Sequence, residues 1–205
     1  MNTNKKINVA VFVSGGGTNL QALIDAVDAN IITRAKLSLV VSNNANAYAI
    51  KRAQSNNIPV LVIQKDDNGY LKFENKVIKA LEMYDIDIIV LAGFMQILSK
   101  DFTKKYENRI INIHPSLIPS FCGKGYYGLR VHKATLEYGV KLTGATVHYV
   151  NEVPDGGKII MQKAVRVLKN DTPETLQKRV MEKAEQIILP RAVELVARKM
   201  LKEKK

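Results

Sequence analysis

Short β-branched runs alternate with helix-like stretches through the first 100 residues of the chain. The runs INVAVFV, AKLSLVV and PVLVIQ are each followed by a loop and a stretch with helical apolar periodicity, and a fourth run, DIDIIVL, closes the series. Strands that alternate with helices imply right-handed crossovers and a parallel sheet. The pattern therefore predicts an α/β fold with a Rossmann-like, mostly parallel sheet flanked by helices.

The pattern changes after residue 120. Two strand-like runs, LTGATVHYVNEV and GKIIMQKAVRV, are separated by PDGG, which predicts a C-terminal antiparallel hairpin rather than another crossover. A long final helix is expected to begin near TPETLQKRV, with Thr172 as N-cap and Pro173 in the first turn, and to run toward Arg198. No repeat, low-complexity segment or composition break divides the chain, so we expect residues 1–205 to form a single domain.

Polar clusters follow the predicted strands at the points where these strands end. SGGGTN follows the first strand, SNNANA the second, AGFMQ the fourth and NIHPS the fifth. In open parallel sheets, ligands bind at the carboxyl ends of the strands. We therefore expect a binding site at this edge of the sheet.

The segment SGGGTN places Gly15, Gly16 and Gly17 between a buried strand and a helix. Glycines let the backbone approach an anion closely, and the free amides at a helix N-terminus favour a phosphate. The spacing matches neither a dinucleotide fingerprint nor a lysine-containing phosphate loop, so a single phosphate monoester fits better. A tight strand-to-helix turn without a ligand is the alternative interpretation.

Asn112 and His114 are two residues apart on a strand, so their side chains point to the same face. The asparagine amide can donate to a developing oxyanion, and a histidine can donate to it or transfer a proton near neutral pH. Asp155, in VPDGGK, could turn its carboxylate toward the sheet edge. A polar residue at a strand end and a turn-forming Asp-Gly pair are the alternatives for these positions.

The other residues with reactive side chains form no recognised motif. His132 at an apparent helix start and His148 on an alternating strand are weaker candidates, and the single Cys122 cannot form an internal disulfide. Three scattered histidines and one cysteine lack the spacing of a metal site. We therefore expect no metal.

Charge narrows the function less than the motifs do. The 31 basic and 19 acidic residues give a net charge of +12, which suits nucleic acid, a small anionic substrate or a solvated basic surface. Only 6% of residues are aromatic and no reading motif is present, so we expect no nucleic-acid partner. No apolar run reaches about 18 residues and the start lacks signal-peptide features, which predicts a cytoplasmic protein without membrane association.

Five segments together carry a family resemblance: VFVSGGGTNLQALID, VVSNNANAYAIKRA, VLAGFMQILS, NIHPSLIPSF and VPDGGKIIMQ. In order, they resemble the phosphoribosylglycinamide formyltransferases, a branch of the folate-dependent formyltransferases, from about residue 7 to 195. The N-x-H-P-S-L-x-P segment with a downstream D-G-G is a strong signature of the wider family, and SGGGTN favours the ribonucleotide branch. The resemblance implies transfer of the formyl group of 10-formyltetrahydrofolate to the amine of 5'-phosphoribosylglycinamide in purine biosynthesis.

The resemblance also implies roles for particular residues. Asn112, His114 and Asp155 match the catalytic set: the first two would hold the oxyanion, and Asp155, through a water, would support charged His114 and assist proton transfer. The Ile118–Pro119 peptide is implied to be cis. The residues matching the phosphate and ribose site are Gly15, Gly16, Gly17, Thr18, Asn19 and Glu185. Those matching the folate pocket are Met95, Gln96, Ile97, Leu98, Val150, Asn151 and Pro154.

The resemblance assigns residues 1–100 to a phosphate-binding βα half and residues 101–205 to a catalytic and folate-binding half. We expect small-molecule substrates only, and a monomer or homodimer. Tyr70 and Gln96 stand where some relatives have arginine, and residues 123–131 form a longer loop than in several relatives.

Three other functions fit parts of the sequence. Formyltetrahydrofolate hydrolases carry a preceding regulatory module and methionyl-tRNA formyltransferases an additional C-terminal domain. Here the first strand begins at about residue 7 and the chain stops after its last helix, so we expect neither. A non-catalytic RNA-binding module would use the basic surface and leave Asn112, His114 and Asp155 idle; it would bind RNA with strong salt dependence.

Overall fold

Seven strands and seven α-helices alternate along the part of the chain that the structure, a computed structural model, describes, residues 5–64 and 69–203. The strands are β1 (Ile7–Val13), β2 (Ala35–Ser42), β3 (Val60–Val62), β4 (Ile88–Leu91), β5 (Ile110–His114), β6 (Leu142–Tyr149) and β7 (Ile159–Arg166). The helices are α1 (Thr18–Asp28), α2 (Tyr48–Ser55), α3 (Gly69–Met83), α4 (Lys100–Lys105), α5 (Leu129–Tyr138), α6 (Pro173–Val180) and α7 (Gln186–Glu203). A π-helical turn, Met181–Glu185, separates α6 from α7.

The seven strands form one sheet in the order β3-β2-β1-β4-β5-β6-β7. The pairs from β3 to β5 are parallel, whereas β6 is antiparallel to both β5 and β7. This confirms the predicted mostly parallel sheet with a C-terminal antiparallel hairpin. The chain leaves β1 toward β2 and β3 and returns to β4 on the other side of β1, so the strand order reverses between β1 and β4. Open sheets bind ligands in the crevice at such a reversal.

Strand β1 shows how helices cover both faces of the sheet. Val9 and Val11 belong to the apolar cluster that packs α1, α6 and α7 against one face. Ala10 and Phe12 belong to the cluster formed with α3 and α4 on the other face. Because successive side chains point to opposite faces and all four are fully buried, the run VAVFV is continuously apolar.

The predicted final helix is present but interrupted. The Thr172 hydroxyl caps α6 by accepting a hydrogen bond from the Thr175 N–H at 3.3 Å, and Pro173 occupies the first turn, as expected. The helix then widens into the π turn before α7, which continues to Glu203 rather than ending near Arg198. Apolar periodicity cannot reveal the π turn, because this turn adds only one residue to a helical repeat.

Helix α7 is fastened to the loop before β2 by one buried carboxylate, Glu194. It accepts hydrogen bonds from the Thr33 and Arg34 N–H groups at 2.8 and 2.9 Å, from the Thr33 hydroxyl at 2.8 Å and from Arg198 Nε at 2.7 Å. Burial alone would raise the pKa of Glu194, but these donors hold it below its usual value. Glu194 therefore stabilises the folded protein as a carboxylate.

We expect Glu194→Ala to lower the free energy of unfolding by about 2–3 kcal/mol, because it removes a carboxylate that accepts four hydrogen bonds and fastens α7 to the loop before β2. Since the folded pKa is depressed, the stabilisation is present above the unfolded pKa of about 4.3 and is lost as pH falls. Urea unfolding of the wild-type and Glu194→Ala proteins at pH 7 and near pH 4 measures this difference in stability. Glu203→Ala, which removes an exposed ion pair with Lys199, is the matched control and should change little. A Glu194→Ala protein as stable as this control would contradict the assignment.

Candidate active site

A cavity of about 880 Å³ opens where the strand order reverses, at the carboxyl ends of β4 and β5 and the start of α1. Residues 123–128, the β6–β7 loop and the π turn complete its wall. The predicted site residues that line it are Thr18, Asn19, Met95, Gln96, Ile97, Asn112, His114, Pro154, Asp155 and Glu185. The structure therefore brings most of the predicted residues into one cavity.

The remaining predicted residues lie outside the cavity wall. Gly15, Gly16 and Gly17 form the loop that leads into Thr18. Leu98 and Val150 pack in or against the apolar cluster on the α3 face of the sheet. Asn151 accepts a hydrogen bond from the Val153 N–H at 3.0 Å and so shapes the β6–β7 loop.

His114 lies against the carboxylate of Asp155. Its Nδ1 is 3.5 Å from Asp155 Oδ2, and its Nε2 is 2.9 Å from the carbonyl oxygen of Phe121. A carbonyl only accepts, so Nε2 carries a hydrogen and donates it. Burial lowers the pKa of His114 below 6.5, although the Asp155 charge and the Phe121 carbonyl pull it upward. The imidazole is therefore mostly neutral at pH 7, and a negative charge arriving beside it would favour its protonation.

Asp155 remains ionised although it is mostly buried. Burial would raise its pKa, but His148, His114 and the Gly123 N–H together hold that pKa below 3.8. The Gly123 N–H donates to Oδ2 at 2.8 Å, and Oδ1 lies 3.5 Å from His148 Nε2. One carboxylate thus contacts two histidines and the loop that follows β5.

Asp155 reaches His114 by an indirect path. β6 runs against β5, and Tyr149 at its end pairs with Ile111, in the amino-terminal half of β5. The β6–β7 loop must therefore double back toward His114. Asp155 adopts a left-handed conformation, with φ of 56°, and a Cβ on Gly157 would lie 1.8 Å from the Tyr149 carbonyl oxygen. The second glycine of DGG is needed for this close passage.

His148 belongs to the site, although the sequence marked it only as a weaker candidate. It is buried on β6 directly opposite Asn112. Its Nδ1 donates to the Tyr149 carbonyl oxygen at 2.8 Å, and its Nε2 lies 3.2 Å from Asn112 Nδ2 and 3.5 Å from Asp155 Oδ1. His148 thereby holds the Asn112 amide beside Asp155 at the cavity. The signal that could have identified His148 is its place on the strand that pairs with β5, the strand that contains Asn112 and His114.

Asn19 and Glu185 form the opposite wall of the cavity. Asn19 Nδ2 donates to Glu185 Oε2 at 2.7 Å, and both side chains are buried. Burial raises the pKa of Glu185, and the hydrogen bond from Asn19 only partly opposes this. Glu185 is the last residue of the π turn, a feature frequent at functional sites. The pair presents oxygen atoms that suit ligand hydroxyl groups.

The three glycines of the loop before α1 differ in how much room a side chain would have. Gly17 has φ of 70°, and a Cβ there would lie 2.6 Å from Ala49 Cβ, so packing requires glycine. A Cβ on Gly15 or Gly16 would meet nothing within 4 Å. Arg52 Nε donates to the Gly16 carbonyl oxygen at 2.9 Å and brings a positive charge close to the loop. This open, positively charged turn at the start of α1 suits an anion.

Helix α3 holds both ends of the segment that contains Met95, Gln96 and Ile97. At one end the Phe94 ring stacks on Phe73, with centroids 6.1 Å apart. At the other end, buried Glu74 accepts from the Ser99 N–H at 2.7 Å and from its hydroxyl at 2.5 Å. The segment is therefore a fixed wall of the cavity rather than a free loop.

This wall is polar at one point. Gln96 Nε2 is buried without a hydrogen-bond partner. The Tyr70 side chain, the other departure from arginine, lies outside the residues whose side chains the structure describes. Just after this segment, Lys100 at the start of α4 pairs with Glu152 of the β6–β7 loop at 2.7 Å.

The chain after His114 turns sharply over the site. The Ile118–Pro119 peptide is cis, as expected from the family resemblance, and Phe121 has a left-handed φ of 50°. These turns direct the Phe121 carbonyl and the Gly123 N–H toward His114 and Asp155. The Phe121 ring contacts the rings of Tyr126 and Tyr138, which anchors the loop.

The described residues contain no group of three or more His, Cys, Asp or Glu side chains arranged to hold a metal ion. Within the same residues, every helix is too short or too polar to cross a membrane.

The sheet order and the polar cavity define an α/β protein whose site joins a glycine turn at a helix N-terminus to an Asn–His–Asp cluster. The sequence matches the formyl transferase family over residues 7–193, and the chain belongs to that family. It is 47% identical over 193 residues to the trifunctional purine biosynthetic protein adenosine-3 of Gallus gallus, covering 94% of this chain and 18% of the relative. It is 40% identical over 180 residues to phosphoribosylglycinamide formyltransferase of Haemophilus influenzae, covering 87% and 82%.

A solved structure matches as well. Glycinamide ribonucleotide transformylase 1 from Symbiobacterium toebii superposes with a TM-score of 0.88 at 36% identity, covering 95% of this chain and 89% of that one. The chain spans less than a fifth of the Gallus gallus relative.

We expect Gly17→Ala to lower the free energy of unfolding by about 1–3 kcal/mol, because the new Cβ meets Ala49 and the left-handed backbone disfavours a side chain. Gly16→Ala, one residue away in open space, is the matched control and should leave stability nearly unchanged. Thermal unfolding of the two variants compares them directly. Equal losses from both would contradict the packing constraint placed on Gly17.

Proposed function

We propose that the protein transfers the formyl group of 10-formyltetrahydrofolate to the amine of 5'-phosphoribosylglycinamide, a step of purine biosynthesis. The observation that carries the proposal is that Asn112, His114 and Asp155 meet in one cavity of a formyl transferase family member. The name of the Haemophilus influenzae relative, which this chain covers over most of its length, supports the same activity.

The cavity offers a separate side to each substrate. Asn19 and Glu185, with the glycine loop and Arg52 beside them, suit the ribose hydroxyls and phosphate of the ribonucleotide. Met95, Gln96 and Ile97 face the β6–β7 loop and would take the pterin, with Leu98, Val150, Asn151 and Pro154 shaping this pocket. We propose on this basis that residues 1–100 provide phosphate binding and residues 101–205 provide catalysis and folate binding within a single domain.

In the proposed reaction, the neutral amine of the ribonucleotide attacks the formyl carbon, and a nitrogen–carbon bond forms while the carbonyl oxygen becomes an oxyanion. The amide of Asn112 donates to that oxygen, and His114, which gains at Nδ1 the proton that the attacking amine loses, donates to it while its Nε2–H stays on the Phe121 carbonyl. The bond to the folate nitrogen then breaks, and that nitrogen receives the proton lost by the attacking amine. Asp155, through a water, assists this proton transfer.

The electrostatics of the pair fit this sequence of steps. A neutral His114 avoids a buried positive charge before the reaction, and ionised Asp155 beside it favours protonation when the oxyanion forms. The positive charge then appears only where negative charge develops. Interactions that strengthen in the transition state raise kcat rather than substrate affinity.

The partners, cellular location and oligomeric state follow from the same proposed activity. We propose small-molecule substrates without a metal or a nucleic-acid partner, a cytoplasmic location, and a monomer or homodimer. The +12 charge would then serve as a solvated surface that attracts anionic substrates.

The test is to incubate the purified protein with 10-formyltetrahydrofolate, with and without 5'-phosphoribosylglycinamide, and to follow folate deformylation. We expect deformylation only with the ribonucleotide and in equal amount to formylated product. Deformylation by water alone at a comparable rate would contradict the proposal and indicate a hydrolase.

We expect His114→Ala or Asn112→Ala to lower kcat by about 10²–10³ while ribonucleotide binding stays nearly intact, since each loses an oxyanion donor. Asp155→Asn should also lower kcat. It removes the charge that raises the pKa of His114, so the pH at which kcat changes with His114 ionisation should move lower.

The double variant His114→Ala with Asp155→Asn should cost much less than the product of the single losses, because the two residues act as a unit. Steady-state formyl-transfer assays measure kcat for the single and double variants, and circular dichroism checks that each variant is folded. Glu152→Gln, an exposed carboxylate in the same loop as Asp155, is the matched control and should keep wild-type kcat. Near-normal kcat in folded His114→Ala protein would refute the mechanism.

A further inference from the structure

Buried polar atoms without a hydrogen-bond partner are concentrated at the cavity. Among the described residues, they belong to Asn19, Asn43, Gln96, Tyr106, His132 and Thr143. Three of these residues, Asn19, Gln96 and His132, line the cavity. Because an unpaired buried polar atom costs folding free energy, such a cluster around one cavity indicates atoms that a ligand pairs with.

His132 is the most pronounced case. It is fully buried, yet neither Nδ1 nor Nε2 has a hydrogen-bond partner. Its neighbours on α5 are satisfied, since the Thr135 hydroxyl donates to the Val131 carbonyl oxygen at 2.8 Å. The oxyanion and proton-transfer steps proposed above make no use of His132.

The position of His132 relates it to one substrate. Helix α5 packs against α6, which carries the cavity-lining Gln177 and leads through the π turn to Glu185. His132 therefore stands on the wall between His114 and the side of the cavity that contains Glu185. It is remote in sequence from the Met95–Ile97 segment assigned to the folate.

We propose that the imidazole of His132 hydrogen-bonds the amine-bearing substrate, at the amide that joins its amino acid to the sugar. This rests on the proposed function, which makes that substrate a glycinamide ribonucleotide. An amide presents one N–H and one carbonyl oxygen, so it can pair with either the acceptor or the donor nitrogen of a neutral imidazole.

Two properties of the site agree with this. Burial, with a smaller contribution from nearby His114, lowers the pKa of His132 to about 4, so the ring is neutral at pH 7. A neutral ring binds an uncharged amide without placing a second positive charge beside His114 when the latter becomes protonated.

If His132 served only to stabilise the fold, replacing it should lower the melting temperature. The structure indicates the reverse. An unpaired imidazole in the core is worse for folding than an apolar side chain of similar volume. His132→Leu should therefore raise the melting temperature by about 2–4 °C. If the histidine serves the substrate, the same change should weaken ribonucleotide binding.

The experiment measures ribonucleotide binding by calorimetry in the absence of folate, and KM for both substrates. For His132→Leu we expect the Kd and KM of the ribonucleotide to rise about tenfold, the loss of one or two uncharged hydrogen bonds, with KM for 10-formyltetrahydrofolate unchanged. His132→Asn and His132→Gln keep a polar atom near the position of Nδ1 or Nε2. One of them should recover most of the affinity and so identify the nitrogen that binds.

Thr143→Val is the matched control. It removes another buried unpaired atom, on β6 and away from the cavity wall, so it should also leave the protein at least as stable but with unchanged KM. Wild-type affinity in folded His132→Leu protein, or a loss that neither amide variant recovers, would overturn the proposal. Wild-type protein that binds no ribonucleotide would instead refute the proposed function.

Discussion

The site depends on one buried negative charge, the carboxylate of Asp155. Its two oxygens contact His114, His148 and the N–H of Gly123, so it connects β5, β6 and the loop that crosses the cavity. A buried carboxylate is tolerated only where donors and positive charge compensate for lost hydration. The left-handed backbone at Asp155 and the turns after β5 serve to bring those partners within reach. The protonation of His114 and the position of the loop are therefore linked through one group.

Much of this arrangement follows from the order of the sequence. Alternating strands and helices predict the parallel sheet, and the carboxyl-end rule collects the polar clusters at one edge. The spacing of Asn112 and His114 predicts a shared face, which the structure confirms by placing both side chains in the cavity. These features are predictable because they depend on local periodicity and chain topology.

The features that escaped depend on contacts between distant segments. Strand β6 runs opposite to the parallel strands, so the carboxyl-end rule does not apply to Asp155, and only the return of the loop brings it to His114. His148 became part of the site through its cross-strand position opposite Asn112. The need for glycine at position 17 comes from Ala49, a residue on another helix. Local sequence contains none of this information.

Because the sheet ends in a hairpin, the two sides of the cavity differ in how much sequence change they tolerate. β6 and β7 are joined without a crossover helix, and the exposed residues 151–153 at the start of their loop lie outside the core. Insertions or exchanges there need not disturb a packed helix. The glycine turn, fixed between β1 and α1 by the contact of Gly17 with α2, has no such latitude. Over evolution, and equally in engineering, new specificity on this scaffold should arise on the hairpin side, while the glycine turn before α1 stays constant.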